Sequence, residues 1–270
     1  MKHAFTVDVE EWYHGIPLQR EQQDSLEERL DLGLDRITNI LDQYDTRATF
    51  FWLGSLAEKY PERVRMLSDL GYETGCHGWS HTPISRMKKA QFASETAKSL
   101  EVLSGITGKP VVSYRAPSFS VDRGTMWVYD ILANLEVKFD SSIFPIRYWR
   151  YGIPGFDLQP QVIETASGCL KVVPLPVRKI GCLTIPVSGG AWFRLYPYLL
   201  TRSNFRASER RNSPITFYIH PWELDPQHPR LRFHWRAQFS HYIRLDSCVR
   251  KLERLLTDYD FAPLNEVFGC

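Results

Sequence analysis

The chain has 270 residues, of which 43% are hydrophobic and 24% charged, and these proportions exclude wholesale disorder. Its formal net charge of +2 gives no reason to expect a nucleic-acid partner, because nucleic-acid binders carry a strong basic field. The length is that of one domain of roughly 200–250 residues with, at most, a small appendage.

Short apolar runs alternate with amphipathic stretches along the chain. The runs predict buried strands because of their length and their β-branched and aromatic content. In chain order these runs are 4–9, 48–53, 72–76, 111–114, 137–139 and 215–219. Apolar residues at spacings of three and four predict helices at 25–44, 61–70, 91–103 and 240–259. This alternation predicts βαβ units and a mostly parallel sheet, either open or closed into a barrel.

The middle of the chain has a different character. Residues 148–198 are rich in proline and glycine and carry few helix signals, so we expect irregular strands and loops inserted before the last core strand. The five cysteines form no CxxC pair and are expected to be mostly free thiols in a reducing compartment. The chain start lacks the pattern of a signal peptide, and no run is long and apolar enough for a membrane span. We therefore predict a cytoplasmic protein.

Ionisable residues follow five of the predicted strands. They are Asp8 with Glu10 and Glu11, His77 with His81, Arg115, Asp140 and His220. In parallel α/β folds, ligands bind at the carboxyl ends of the strands. Each residue alone has an ordinary explanation as a strand-end, surface or ion-paired side chain. Their joint placement at one end of one sheet predicts a functional site.

A metal centre is the first possibility for this set. His77 and His81, four residues apart, can present two imidazoles to one point, and one carboxylate from another strand would complete three ligands. Three protein ligands leave an open position, as in catalytic zinc sites. Asp8 and Glu10 point to the same side of a strand, so either could be the carboxylate ligand and the other the base.

The remaining residues suit hydrolysis of an amide or an ester. A zinc-bound water has a pKa near 7 and attacks a carbonyl with help from a carboxylate base. The leaving amine needs a proton, for which His220 is the candidate acid. Arg115 could keep the base ionised, and Asp140 could hydrogen-bond His220 and favour its charged form.

Several residues have competing interpretations. Asp140 with Ser141 and Ser142 could instead cap a helix. Cys76 beside His77 is expected to be a packed thiol, since strand alternation places it on the opposite face from His77. An arginine-rich run is expected to be a solvated helical face, and the alternative is that it binds an anionic glycan or a lipid head group. The run comprises Arg194, Arg202, Arg206, Arg210 and Arg211. The tryptophans that could line a sugar subsite, or else pack in the core, are Trp79, Trp192 and Trp222.

The motifs resemble those of the NodB-homology polysaccharide deacetylases, carbohydrate esterase family four. Residues 6–11, TVDVEE, look like that family's strand ending in T-F-D-D, and residues 77–81, HGWSH, look like its H-S/T-x-x-H motif. Residues 115–117, RAP, match R-x-P, and residues 217–220, FYIH, match the strand that ends in the catalytic histidine. The segments VDVEEW, FDSSIFP and GGAWFRLYP resemble a subgroup found with bacterial exopolysaccharide and exosortase loci.

The resemblance implies a distorted (β/α)7 barrel, an α/β fold. The core would cover residues 4–145 and 214–223 of a single catalytic domain, 1–270. An irregular insertion at about 148–200 and a helical C-terminal extension at about 224–270 would complete it. The implied activity is metal-dependent removal of N-acetyl, or O-acetyl, groups from a saccharide in exopolysaccharide biosynthesis, with zinc as the expected metal and an N-acetylated glycan as the partner.

The resemblance also implies roles for individual residues. Asp8 would be the base, Arg115 would orient it, and His220 would be the acid. The metal ligands would be Glu10, His77 and His81, and the expected substrate contacts are Pro117, Trp79 and Trp222. The family's adjacent Asp-Asp is replaced here by Asp-x-Glu, a start similar to that of ring-opening amidohydrolases such as allantoinase. The alternatives are therefore a cyclic amide hydrolase, working with or without a metal, and an inactive glycan-binding relative.

Overall fold

The computed structural model describes residues 1–16, 18, 20–148, 151–181 and 183–269. The strands are β1 (Lys2–Val9), β2 (Thr49–Trp52), β3 (Glu73–Cys76), β4 (Ser113–Tyr114), β5 (Phe139–Asp140), β6 (Gln161–Thr165), β7 (Gly168–Val172), β8 (Val177–Ile180), β9 (Leu183–Pro186), β10 (Thr216–Ile219) and β11 (Asp260–Ala262). The helices are α1 (Arg20–Gln23), α2 (Leu30–Gln43), α3 (Gly54–Lys59), α4 (Pro61–Asp69), α5 (Lys89–Thr107), α6 (Val128–Asn134), α7 (Gly190–Leu195), α8 (Tyr198–Arg210), α9 (Trp235–Tyr242), α10 (Cys248–Asp258) and α11 (Leu264–Phe268).

One curled, mostly parallel sheet organises the molecule. Its strand order is β10-β1-β2-β3-β4-β5-β7-β6, and β11 pairs in addition with the start of β1. The pairings are parallel except that of β6 with β7, while β8 and β9 form a separate antiparallel hairpin. The predicted α/β fold with a curled, barrel-like sheet is therefore confirmed. Parallel strands keep their carboxyl ends at one rim, which is where the ionisable residues predicted from the sequence lie.

Apolar side chains cover both faces of the central strands. In β1, every residue after Lys2 is buried, as expected for a parallel strand with helices packed outside it. The amphipathic helix α2 contributes Leu34, Ile37 and Leu41 to the same core. The polar side chains at the ends of these strands are therefore anchored on rigid, well-packed backbone.

The region predicted as an irregular insertion contains part of the central sheet. Strand β7 pairs in parallel with β5, and the preceding strand, β6, pairs antiparallel with β7. Helix α7 and the start of α8 also fall within residues 148–200, where few helix signals were recognised. The C-terminal region is likewise not only helical, because β11 joins β1.

Two predicted helix ends were wrong. Helix α5 continues through Gly105 to Thr107 and ends at Gly108, whose φ of 67° supplies the left-handed cap. The single helix predicted over 240–259 is broken at Arg244, which has a φ of 48°. The break occurs because the carbonyls of residues 240, 241 and 243 accept hydrogen bonds from the Arg194 guanidinium instead of continuing a helix.

Two further predictions from the sequence concern membrane-spanning segments and cysteine thiols. Within the described part of the chain, no helix has the length and apolarity needed to cross a bilayer. Cys76, Cys169 and Cys248 are free thiols. The predicted thiols Cys182 and Cys270 lie outside the described residues.

Candidate active site

The carboxyl ends of the strands open into a cavity of about 430 Å³. Of the ionisable residues predicted from the sequence, five line it: Asp8, Glu10, His77, His81 and His220. Much of the remaining wall is aromatic, formed by Phe119, Tyr148, Tyr151, Trp192, Tyr218, Trp222, Phe233, Trp235 and Phe239. A polar centre with aromatic walls is typical of a site that binds a saccharide or another small molecule.

Three of these residues can hold one metal ion. Donor atoms of Glu10, His77 and His81 lie within 4.8 Å of one another, close to what ligand distances of about 2.0–2.2 Å allow around one ion. Glu10 follows β1, and His77 follows β3, which is two strands away in the sheet. His81 enters from the loop after His77 with a φ of 56°, which turns the loop back toward the strand ends.

The buried atoms of this cluster fit a cation. Oε2 of Glu10 lies 2.6 Å from Nε2 of His81 and has no other close partner among the described residues. A carboxylate oxygen and an imidazole nitrogen placed side by side in this way suit joint coordination of one ion. The Nδ1 atom of His77 lies 2.8 Å from the Arg115 carbonyl, which leaves its Nε2 free to act as the ligand. Burial lowers the pKa of His77 to about 4, so the imidazole is neutral as a ligand must be.

Asp8 and Arg115 form a buried ion pair beside the cluster. Nη1 of Arg115 donates to Oδ1 of Asp8 at 2.6 Å and to the hydroxyl of Thr6 at 2.7 Å. The other guanidinium nitrogens donate to the carbonyl and hydroxyl of Ser141. The guanidinium also lies over the ring of Phe51, 4.4 Å from its centroid. Asp8 is therefore held with one oxygen bound to Arg115 and the other facing the cavity side.

His220 stands between two groups of carboxylates. Its Nε2 lies 3.1 Å from Oε1 of Glu10 and 3.9 Å from Oδ2 of Asp8, while its Nδ1 donates to Oε1 of Glu223 at 2.7 Å. Burial opposes the charged ring, but these three carboxylates outweigh it and raise the pKa of His220 to about 9. These carboxylates favour the protonated ring, which is the form that has a proton to give.

Asp140 does not hydrogen-bond His220, so that prediction was wrong. Its carboxylate accepts hydrogen bonds from the backbone and hydroxyl of Ser142 and from the hydroxyl of Tyr129. The Ser142 hydroxyl in turn accepts from the backbone N–H of Ala116. Asp140 thus supports the loop that carries Arg115, and burial raises its pKa to about 6. The helix-capping alternative is also wrong, since residues 141–148 form no helix.

Glu223 takes the place that was predicted for Asp140. It lies in the short 3-10 turn after His220, and its second oxygen accepts from Nε of Arg194 at 2.5 Å. Burial would raise the pKa of Glu223, but Arg194 and His220 together lower it. The spacing His-Pro-x-Glu is the one sequence signal for this contact, because it suits a capping box at the start of a helical turn.

Arg194 was misread as part of a solvated arginine face. Its side chain is 1% exposed. Besides Glu223, its guanidinium bonds the carbonyls of Ser240, His241 and Ile243. No local pattern indicates this role, because the partners lie 29 to 49 residues later in the chain.

Glu11 also has a role that differs from that of its neighbours. Its carboxylate accepts the backbone N–H groups of Arg29 and Leu30, at the start of α2. A carboxylate at a helix start satisfies donors that the helix itself leaves free. Glu11 therefore points away from the cavity and is bonded to the start of a helix.

Only one of the three predicted substrate contacts lines the cavity. Trp222 does, with its ring stacked between His220 and His241 at centroid distances of 5.2 and 4.3 Å. Trp79 lies in a separate small pocket, where the Lys98 ammonium sits 3.5 Å above its ring. Pro117 lines that same pocket and packs on Gly78. The prediction that Trp79 and Pro117 contact the substrate was therefore wrong, and both are packing residues. Trp79 is turned away from the cavity by the sharp turn at Gly78, whose φ is 76°.

The sequence matches known families in two segments. Residues 31–137 match the family "Polysaccharide deacetylase", and residues 141–269 match a domain of unknown function, DUF3473. The peptidoglycan deacetylase of Helicobacter pylori is 30% identical over 121 residues, which are 45% of this chain and 40% of that protein. This chain thus spans less than half of that curated relative.

Solved structures extend the likeness to nearly the whole chain. A crystal structure described as a polysaccharide deacetylase from Mycobacterium smegmatis superposes with a TM-score of 0.66 at 18% identity, covering 98% of this chain and 87% of that one. Puue allantoinase superposes with a TM-score of 0.61 at 13% identity, covering 96% and 85%. These likenesses show the fold alone. Residues 31–137 thus resemble the polysaccharide deacetylase family, and the fold of these two solved structures covers nearly the whole chain.

Proposed function

We propose that this protein is a metal-dependent hydrolase that removes N-acetyl groups from a saccharide. The single observation that carries the proposal is the convergence of Glu10, His77 and His81 beside the Asp8–Arg115 pair and His220. The match of residues 31–137 to the deacetylase family supports the same reaction class. The sequence resemblance to the exopolysaccharide-associated subgroup adds the biosynthetic setting to the proposal.

Glu10, His77 and His81 would hold the cation. A divalent ion, zinc by preference of this donor set, supplies Lewis acidity for water activation and carbonyl polarisation when it is bound. Asp8 takes the proton of the attacking water, and its ion pair with Arg115 keeps the carboxylate oriented toward the cavity. His220, protonated because its pKa is raised, donates a proton to the departing amine.

The aromatic wall would bind the sugar. Sugar rings stack on aromatic faces, and Trp192 lines the cavity, whereas the ring of Trp222 is already stacked between His220 and His241. The volume of about 430 Å³ lies in the range of small-molecule sites, about 300–1,000 Å³, so one or two sugar residues fit.

The test is acetate release from N-acetylhexosamine oligomers by the metal-loaded enzyme and by the same enzyme after chelation. We expect turnover that disappears with chelator and returns with zinc. His220→Ala should retain the metal and lose about 100-fold or more of kcat, as expected for removal of a general acid. Full activity after complete metal removal would refute the metal role.

A cyclic amide such as allantoin is the matched competing substrate. Ring opening of that substrate without acetate release from any glycan would favour the allantoinase-like alternative. Glycan binding with no turnover of either substrate would favour an inactive binding protein.

A further inference from the structure

The segment from residue 226 to residue 245 has an unusual composition. It contains four arginines and no aspartate or glutamate, although the chain as a whole is nearly neutral at +2. The four arginines are all exposed: Arg230, Arg232, Arg236 and Arg244. For Arg230, Arg232 and Arg236, no carboxylate of the described side chains lies within ion-pair distance. This surface therefore carries a local positive charge that the protein itself does not neutralise.

Two large aromatic side chains stand out from the same segment. Trp235 and Phe239 are 68% and 53% exposed, and they lie four residues apart on α9, hence on one face of the helix. The opposite face carries Ala237 and His241, which are buried. The helix is therefore attached to the protein by one face and presents aromatic rings to solvent with the other.

The aromatic face lies at the mouth of the substrate cavity. Trp235, Arg236 and Phe239 contribute to the cavity wall while remaining exposed. The guanidinium of Arg236 lies 5.2 Å from the Trp235 ring, and that of Arg230 lies 5.4 Å from the Tyr242 ring. Arginines and aromatic rings are thus interleaved on one rim.

We propose that this rim, defined by Arg230, Arg232, Trp235, Arg236 and Phe239, docks on the surface of an anionic lipid bilayer. Tryptophan and phenylalanine partition into the headgroup region, and arginines are attracted to its negative potential. Charge complementarity selects this occupant, because a segment with four cations and no anion matches an extended negative surface. Docking there places the cavity mouth against the bilayer, where a saccharide attached to a lipid would be presented.

The proposal is tested by cosedimentation of the full-length chain with vesicles. Vesicles of phosphatidylcholine with about one third phosphatidylglycerol should bind the protein, and pure phosphatidylcholine vesicles should bind it much less. Binding to the anionic vesicles should weaken as salt is raised. The triple variant Arg230→Gln, Arg232→Gln, Arg236→Gln should bind on the order of 100-fold more weakly, at about fivefold for each arginine.

A second variant separates the aromatic contribution from the charge. Trp235→Ala with Phe239→Ala keeps the charge and should lower binding to anionic vesicles at least about tenfold. The matched control for charge is a triple variant at exposed positions elsewhere, Arg65→Gln, Arg123→Gln, Arg211→Gln. The matched control for apolar area is Val162→Ala with Ile180→Ala, also at exposed positions elsewhere. Both controls should bind as the original protein does, and circular dichroism should show all variants folded.

Several outcomes would overturn the proposal. They are the absence of vesicle binding, equal binding to neutral and anionic vesicles, and a loss of binding in the charge control as large as that in the Arg230, Arg232 and Arg236 variant. A different result would point to an anionic polymer as the occupant. In that case the Trp235→Ala, Phe239→Ala variant binds vesicles as the original protein does, and the original protein binds heparin, a soluble polyanion, as tightly as it binds anionic vesicles. These vesicles carry no saccharide, so a failure to bind them leaves the deacetylase proposal standing. In the same way, a failure to release acetate from a glycan leaves the membrane-docking proposal standing.

Discussion

The Nδ1 atom of His220 donates to Glu223, three residues later, over 2.7 Å. Glu223 is in turn bound by the buried guanidinium of Arg194. The candidate acid is therefore oriented by a carboxylate from its own turn, which is held by a cation from α7. This chain of contacts connects the cavity to the C-terminal region, because Arg194 also bonds carbonyls of residues 240–243.

Glu223→Gln should lower the pKa of His220. The Glu223 charge is one of the causes that raise this pKa to about 9, so its removal lets burial pull the value down. Activity that needs protonated His220 should then be lost at a lower pH, and the alkaline limb of kcat/KM should shift in that direction. The measurement is the pH profile of acetate release.

The control for this shift is Asp140→Asn, which removes another buried carboxylate that does not contact His220. Its alkaline limb should stay where it is, even if the absolute rate changes. An unshifted limb in Glu223→Gln would contradict the role of Glu223.

Glu10→Gln should weaken metal binding at least about 100-fold. Loss of an outer hydrogen-bond partner of a metal site typically costs 10–100-fold, and loss of a ligand costs more. Zinc affinity by competition with a chromogenic chelator is the measurement. Glu11→Gln changes the adjacent residue in the same way, but that side chain contacts α2, so it should keep the original affinity. Equal affinity in both variants would remove Glu10 from the ligand set.

Asp140→Asn should change how stability depends on pH. Burial raises the pKa of Asp140 from 3.8 to about 6, so the folded state holds this proton more tightly than the unfolded state. The resulting stabilisation is complete below about pH 4 and is lost as the pH rises through about 6. A shift of about two pKa units corresponds to about 3 kcal/mol.

The neutral asparagine cannot lose this contribution. The unfolding free energy of Asp140→Asn, relative to the original protein, should therefore rise by up to about 3 kcal/mol between pH 4 and pH 7.5 in urea titrations. Asp69→Asn, the same substitution on the exposed end of α4, is the matched control. A flat difference for Asp140→Asn would show that this carboxyl does not titrate in the range.

Arg194→Met should destabilise the fold by about 3–5 kcal/mol. The substitution leaves the buried Glu223 carboxylate without its cation and removes the donor for three carbonyls. Adding Glu223→Gln should recover part of the loss, because the uncompensated charge is then gone. Urea unfolding of both variants is the measurement, with Arg206→Met on the exposed face of α8 as the control. If the losses in unfolding free energy caused by Arg194→Met and Glu223→Gln simply add in the double variant, a direct coupling between Arg194 and Glu223 is contradicted.

The fold class and most of the polar centre could be predicted from the amino-acid sequence. Apolar runs followed by Asp8, His77, Arg115 and His220 could be recognised because parallel strands bring their carboxyl ends to one rim whatever the loops between them do. The alternation of side chains along a strand also placed Asp8 and Glu10 on the same side.

The partner of His220, the role of Arg194 and the orientation of Trp79 depend on how distant elements pack. Asp140 was the predicted partner of His220, but Glu223 has that place, because the partner depends on which strand ends lie side by side. Arg194 meets residues 223, 240, 241 and 243 only after the chain has folded back on itself. The direction of Trp79 depends on the positive φ at Gly78 and His81. Local patterns encode which face of an element is buried, whereas these contacts depend on how distant elements pack.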